Sequence, residues 1–332
     1  MHLVRPKVVN DGLGLLLPLV PDGISPVQSG NTFGNPSGTV STKPSPMASL
    51  LGFAREAEAL GAAALWAPDH LFWGQPILEC LTTLTAVATS TSRAAIGSCV
   101  LQLPLREPAV VAKQATTLQV LSQGRFVLGL GVGRHRGEYE AAGGEFDTRG
   151  KTMDLALDAI RRAWATAEEP GLQYRQDPPS PPVPLWFGGS SDAALRRTAH
   201  WGDGWVPLFL SLEGYRSKLA QLARHAEAAG REPGEITPAV TLAVHVGSRE
   251  QALQRGSEWL SKLFGIPARA FAGHLVAGPS SRCADTIWQY REAGARHLVL
   301  MVADDHPLDH FGALVDRFDT PAGGREPAET TR

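Results

Sequence analysis

Short apolar runs and longer segments of helical periodicity alternate along most of the chain. The runs Leu13–Leu19, Ala63–Ala67, Ala94–Leu101, Phe126–Leu130, Leu185–Phe187, Trp205–Leu208, Thr237–Val246 and His297–Val302 have the length and apolar content of buried strands. Between them the apolar positions recur with a helical period. These stretches are Met47–Leu60, Leu78–Thr89, Pro108–Leu121, Lys151–Trp164, Asp192–Trp201, Leu212–Ala229, Glu250–Phe264 and Ser281–Glu292. In Lys151–Trp164, for example, Met153, Leu157, Ile160 and Trp164 fall on one face. Punctuation agrees with this reading. Pro108 suits a first helical turn, and Gly61, Gly230 and Gly294 stand where helices should end.

Eight strands alternating with helices predict a parallel sheet, and eight such units predict a closed (β/α)8 TIM barrel. A doubly wound open sheet is the competing architecture. Leu275–Val276 reads as a short irregular segment. Pro21–Pro46 is rich in Gly, Ser, Pro and Asn and reads as a long loop inserted after the first strand, a candidate lid. Residues 1–320 are expected to form one barrel domain, and 321–332 a disordered polar tail.

Composition narrows the function. Across 332 residues, 43% are hydrophobic and the formal net charge is −2, which supplies a large core and no electrostatic footprint for nucleic acid. The run Leu13–Val20 follows Arg5 and Lys7 as an export signal would. However, Pro21-Asp22-Gly23 replaces a small-residue cleavage site, so a first barrel strand is the better reading. No uninterrupted apolar stretch is long enough to span a bilayer. Cys80, Cys99 and Cys283 match neither a zinc pattern nor a redox pair, which favours a reducing, cytoplasmic setting. The ten histidines fall in no ligand spacing, so no metal site is expected.

In barrels of this kind the chemistry sits at the C-terminal ends of the strands. After the second strand stand Asp69 and His70 with Phe72 and Trp73 behind them. His70 can exchange a proton near neutral pH, with a cap and a backbone-bonded histidine as the ordinary alternative. After the third strand, Gly97, Ser98, Cys99 and Val100 suggest a close backbone approach or a tightly packed corner. Cys99 has no activating neighbour in sequence and is not read as a nucleophile.

After the fourth strand, Gly129, Gly131 and Gly133 mimic a dinucleotide fingerprint, but Arg134 stands where its third glycine belongs. These glycines let a ring approach the backbone. Arg134, His135 and Arg136 form a small cationic cluster suited to an anion or to solvent. After the fifth strand, Gly188-Gly189-Ser190-Ser191 leads into a helix as a phosphate cradle would, or as a plain N-cap by Ser191 or Asp192.

Five segments carry a resemblance: LWAPDHLF, REPAVVAKQATTLQVLSQGRFVLGLGVG, GEYEAAGGEFDTRG, PLWFGGSSDAALRRTAHWGDGWVP and AGARHLVLMVA. Together they resemble the bacterial luciferase-like superfamily of flavin- and coenzyme F420-dependent oxidoreductases, from about Leu13 to about Ala303. The closer likeness is to the F420-dependent members; others in the family use reduced FMN as monooxygenases. The resemblance implies a barrel enzyme that passes a hydride between the deazaflavin and a small organic substrate, possessing a cofactor phosphate site at Gly188, Gly189, Ser190 and Ser191. It implies a strained, often cis, peptide near Ser98–Cys99 that buttresses the ring; Val100, Gly133 and Arg134 are further candidates for cofactor contact. It also implies that Asp69 and His70 face the reactive centre.

Two departures stand out. Trp73 lies one position closer to the histidine than in the F420-dependent sugar-phosphate dehydrogenases, and Arg134 occupies the neighbourhood of their glutamate. Glu138 lies on the following segment and is not expected to reach the ring. Sugar-phosphate oxidation is therefore not expected. An FMN-dependent monooxygenase and a non-catalytic flavin-binding barrel are the alternatives, and homodimers are common in the family.

Overall fold

The structure is a computed structural model that describes residues 9, 11–18, 46–165 and 181–318. Most of the expected 21–46 loop and the whole 321–332 tail lie outside the described residues. The strands are β1 (Gly12–Leu16), β2 (Ala64–Ala67), β3 (Ala95–Ser98), β4 (Leu101–Gln102), β5 (Phe126–Gly131), β6 (Leu185–Phe187), β7 (Gly204–Trp205), β8 (Thr237–Val246), β9 (Leu275–Gly278) and β10 (His297–Val302). The helices are α1 (Pro46–Ala59), α2 (Cys80–Ser90), α3 (Pro108–Leu121), α4 (Arg136–Ala141), α5 (Arg149–Trp164), α6 (Asp192–Trp201), α7 (Leu212–Ala228), α8 (Arg249–Phe264), α9 (Ser280–Glu292) and α10 (Pro307–Phe318).

Eight strands pair in parallel in the order β1-β2-β3-β5-β6-β7-β8, and β10 closes the ring by pairing with both β8 and β1. The expected TIM barrel is therefore present. Its strands follow a period of two. Leu13, Leu15, Leu65, Ile96, Phe126, Leu128, Leu185, Trp205, Leu242, Leu298 and Leu300 belong to the outer core shared with the helices. Alternate positions, including Ala64, Trp66, Ala95, Val127, Trp186, Ala239 and Val299, form the inner cluster.

Small residues around the bore make room for two indoles. Trp66 and Trp186 lie 5.1 Å apart, and Trp66 Nε1 donates to His297 Nε2 at 3.0 Å. A Cβ on Gly14 would stand 2.5 Å from that imidazole nitrogen, and one on Gly97 or Gly204 would collide with an indole. The lower bore is thus packed solid, which leaves space only above it, at the C-terminal strand ends.

Several elements differ from the sequence expectation. The expected strand Ala94–Leu101 stops at Ser98. A cis peptide joins Cys99 to Val100, one residue beyond the expected place, and the chain then pairs again with β5 as β4. The expected strand Trp205–Leu208 keeps only Trp205 in β7, with Leu208 bridging Thr241. Leu275–Val276 is part of a true strand, β9, laid parallel to β8 at Ala243–Val246 outside the barrel ring. The helices α4 and α10 were not expected. In α10 the buried Phe311, Leu314 and Phe318 carry the helical period plainly. No helix among the described residues is long and apolar enough to cross a membrane.

Candidate active site

A cavity of about 830 Å³ opens at the C-terminal ends of the strands. That is within the range of small-molecule and cofactor pockets. It brings together the ends of β1, β2, β3, β5, β6, β8 and β10, with α8 forming one wall. His70, Cys99, Val100, Gly133, Arg134, Gly188, Gly189 and Ser191 all line it. The third-strand corner and the Gly188 turn are therefore on one rim. A Cβ added to Gly188 would stand 3.1 Å from both methyls of Val100.

His70 is held from behind by a carboxylate the sequence reading set aside. Its Nδ1 lies 3.0 Å from Oε2 of Glu138, on the first turn of α4. The other oxygen of Glu138 accepts the Leu71 N–H at 2.6 Å and the Phe72 N–H at 3.3 Å, and Gln102 Nε2 reaches both oxygens at 3.3 Å. Glu138 is 2% exposed. Burial pushes its carboxyl up, but the hydrogen bond and charge of His70, then the Phe72 and Leu71 amides, outweigh this and hold it below its ordinary value. A carboxylate here must accept the Nδ1 proton of His70. The neutral ring then presents Nε2 as the nitrogen carrying a lone pair. Trp73 stacks on His70 at 3.9 Å, and His135 meets both rings edge-on.

Asp69 lines the cavity beside His70, and its carboxylate is also a buried anchor. Its two oxygens accept a fork from Arg106 at 2.7 and 2.8 Å, and Oδ2 also takes the Gln102 N–H at 2.8 Å. Burial pushes the Asp69 carboxyl up against the pull of Arg106 and Gln102. The pair pins the end of β2 to the β4 corner, which is what places His70. Asp69→Asn would turn an amide donor toward one of these donors. It is expected to lower stability by about 1–3 kcal/mol in denaturant titration. Turnover per folded molecule should fall less than for His70 variants; an equal fall would return Asp69 to the chemistry.

The fourth-strand glycines also make room for the protein itself, while Gly131 and Gly133 line the cavity. A Cβ on Gly129 would collide with the Ser98 carbonyl, one on Gly131 would stand 2.6 Å from Val100 Cγ2, and one on Gly133 would collide with the Gln102 amide. They seat the segment 98–102, so Val100 becomes a ledge in the cavity floor. Ser98, expected to touch cofactor, is 0% exposed. Its hydroxyl donates to Gly129 O at 2.8 Å and accepts the Gly129 N–H at 2.9 Å, tying β3 to β5. The Cys99 thiol is pushed up to about 11 by burial, so it stays protonated at neutral pH and is no nucleophile.

At the β6 end, Gly188 N–H donates to Leu130 O, and Gly189 takes a left-handed φ of +85°. Ser191 caps α6 by accepting the Ala194 N–H at 3.2 Å. The start of α6 lines the cavity through Ser191 and Ala194, with Arg197 beside them; Ser190 does not line it. Arg197 is held by Asp154 and by Gly150 O. A positive helix terminus, a glycine turn and a guanidinium suit an anionic group, and the Val100 ledge suits a flat ring. The residues present therefore fit a phosphorylated planar cofactor.

Far-apart sequence positions also gather His245, Asp304 and His310. His310 Nδ1 accepts the Val246 N–H, and His245 Nδ1 donates to Ala303 O. The nitrogens facing Asp304, at 3.5 and 3.6 Å, therefore each carry a proton. This makes a hydrogen-bonded cluster around Asp304.

A parallel barrel with a polar-floored cavity at its C-terminal rim defines an enzyme acting on small molecules. The chain belongs to the luciferase-like monooxygenase family, whose model matches residues 31–265. A curated relative, the phthiodiolone/phenolphthiodiolone dimycocerosates ketoreductase of Mycobacterium tuberculosis, is 32% identical over 207 residues, 57% of this chain and 53% of that protein. The chain thus matches about half the length of that relative. Among solved structures, an F420-dependent secondary alcohol dehydrogenase in complex with an F420-acetone adduct is similar, with TM-score 0.73 and 16% identity over 92% of this chain and 98% of that one. Monooxygenase RslO1 from Streptomyces bottropensis is similar with TM-score 0.67 and 18% identity over 92% and 96%. The coenzyme F420-dependent tetrahydromethanopterin reductase of Methanopyrus kandleri follows with TM-score 0.63 and 16% identity over 81% and 94%.

Proposed function

We propose that the protein is a coenzyme F420-dependent oxidoreductase that interconverts a ketone and a secondary alcohol. The observation that carries this is the His70–Glu138 pair at the cavity floor, beside the Val100 ledge. The ketoreductase relative and the F420-dependent neighbours support the choice of reaction and cofactor.

When bound, the deazaflavin would supply or take up the hydride. The protein supplies the rest. Val100 would bear the ring face, and the α6 terminus with Ser191, Gly189 and Arg197 would hold the anionic tail. His70 Nε2 would take the hydroxyl proton in the oxidation direction and return it to the carbonyl oxygen in reduction. Glu138 fixes the tautomer and stabilises the imidazolium that forms when Nε2 takes a proton. Leu130, Phe187, Val206 and Leu208 keep the cavity walls apolar and limit water.

The test is a fluorescence titration of purified protein with coenzyme F420 and with FMN, followed by anaerobic hydride exchange with small ketones. Binding of F420 with oxygen-independent exchange is expected. Selective binding of FMN with reductase-dependent oxygen consumption would instead establish the monooxygenase chemistry. Binding of either without turnover across a ketone panel would make it a non-catalytic barrel.

A further inference from the structure

The polar groups of the cavity are unequally satisfied. Asp69 is taken by Arg106, and Arg197 by Asp154. Asp304 Oδ1 accepts the His306 N–H at 2.8 Å while Oδ2 faces His245 and His310. Asp305 accepts Trp259 Nε1–H at 3.0 Å. Each of these carboxylates already has donors from the protein.

Two cations on the lining differ. Arg134 spends only Nε, on His135 Nε2 at 3.3 Å, and lays its guanidinium over the ring of Phe264 at 5.6 Å. Its outer nitrogens, and the ammonium of Lys262, have no acceptor among the described residues. Arg136, the third cation near this turn, turns away to Asp147 at 2.7 Å. Phe264 lies beneath Arg134, and Lys262, Leu263 and Phe264 all line the cavity from α8. Phe264 packs edge-on against Trp73, which stacks on His70. Arg134 also bonds His135, whose ring meets His70 edge-on at 5.6 Å, so a single imidazole separates its guanidinium from the proton-handling ring.

We propose that Arg134 and Lys262 bind a carboxylate carried by the substrate, so that the substrate class is a keto acid or hydroxy acid with its acid group remote from the reacting carbon. This rests on the oxidoreductase reading. The physical basis is a guanidinium fork made rigid by a ring and by His135, offering charge-assisted hydrogen bonds in a partly closed cleft. The His135 ring between Arg134 and His70 sets the span between the acid group and the carbonyl. Lys262 also lies in the last turn of α8, where a cation favours the helix terminus, so Arg134 is the more specific reader.

The experiment uses levulinate and longer keto acids, each beside its methyl ester, with three readouts. These are the dissociation constant by tryptophan fluorescence without cofactor, kcat/KM with reduced coenzyme F420, and the dissociation constant of F420 itself. The wild-type protein is expected to favour one or more acids over their esters by about tenfold or more, with the preference falling as salt rises. In the Arg134→Gln, Lys262→Gln double variant the acid-to-ester gap should close through weaker acid binding, with F420 affinity retained. Equal binding of acids and esters by the wild type, or failure of both while F420 binds, would overturn the keto-acid proposal alone. A variant that loses F420 affinity while the acid preference persists would overturn it too, by assigning the cations to the cofactor. Failure of the wild type to bind F420 at all would sink the oxidoreductase reading on which it rests.

Discussion

Replacement of His70 by alanine is expected to cut turnover roughly 10²–10⁴-fold, the usual worth of a positioned acid–base group, while F420 affinity is retained. The expectation follows from how the ring is held. Nδ1 is committed to Glu138 at 3.0 Å, so only Nε2 can exchange a proton with a bound oxygen. The ring also supports Trp73, stacked at 3.9 Å, and deletion to alanine opens space beside that indole. His70→Gln is the companion variant because it fills more of the volume without the acid–base group. If both variants lose turnover alike and both still bind F420, the loss is chemical. If the glutamine variant keeps near wild-type turnover, His70 is a packing residue and the proton route lies elsewhere.

The barrel was legible because its signal is repetitive. Eight apolar runs of period two or fully buried character, such as Phe126–Leu130 and His297–Val302, needed only the rule that alternation with helices makes the sheet parallel. What was harder to read depended on contacts between distant residues. The strand Ala94–Leu101 looks continuous because its residues are apolar or small throughout. It breaks at Cys99 because glycines some thirty residues later, at 129 and 131, leave room for Ser98 and Val100 to turn inward. Those glycines make room for the protein, and Gly131 lines the cavity as well.

The site shows the same division. His70 and the Gly188–Ser191 turn follow their strands directly, so the rule that barrel chemistry sits at strand ends found them. Asp69 shared that position, but Arg106, far along the chain, claims its carboxylate. Ser98 was misplaced for a related reason: at the last position of β3 its hydroxyl lies between two strands. Glu138 stands on the segment after the strand-four glycines, where the sequence gives no reason for it to reach the ring. The available signal was its place in the first turn of a short helix beside Tyr139, which is 1% exposed and shows that the segment turns inward. The helix α10 is a plainer omission, since its apolar period was in the sequence throughout.

Glu138→Gln should also cost turnover on the order of 10²-fold or more, by removing the acceptor that selects the His70 tautomer. An amide has one oxygen for two sets of donors. If that oxygen faces Leu71 and Phe72, the amide nitrogen confronts His70 Nδ1–H. If it faces His70, the nitrogen confronts the two backbone N–H groups. In the first arrangement the ring must shift its proton to Nε2 so that Nδ1 accepts from the amide. In the second, two backbone donors lose their partner, and stability should fall by about 1–3 kcal/mol in denaturant titration. A purely structural role would predict the same destabilisation, so the deciding measurement is the double variant. If Glu138 acts through His70, adding Glu138→Gln to His70→Gln should cost little further turnover per folded molecule, because residues that work as a unit are strongly non-additive. If the two losses multiply, Glu138 contributes separately from the imidazole. The pair would then no longer be the unit that handles the proton.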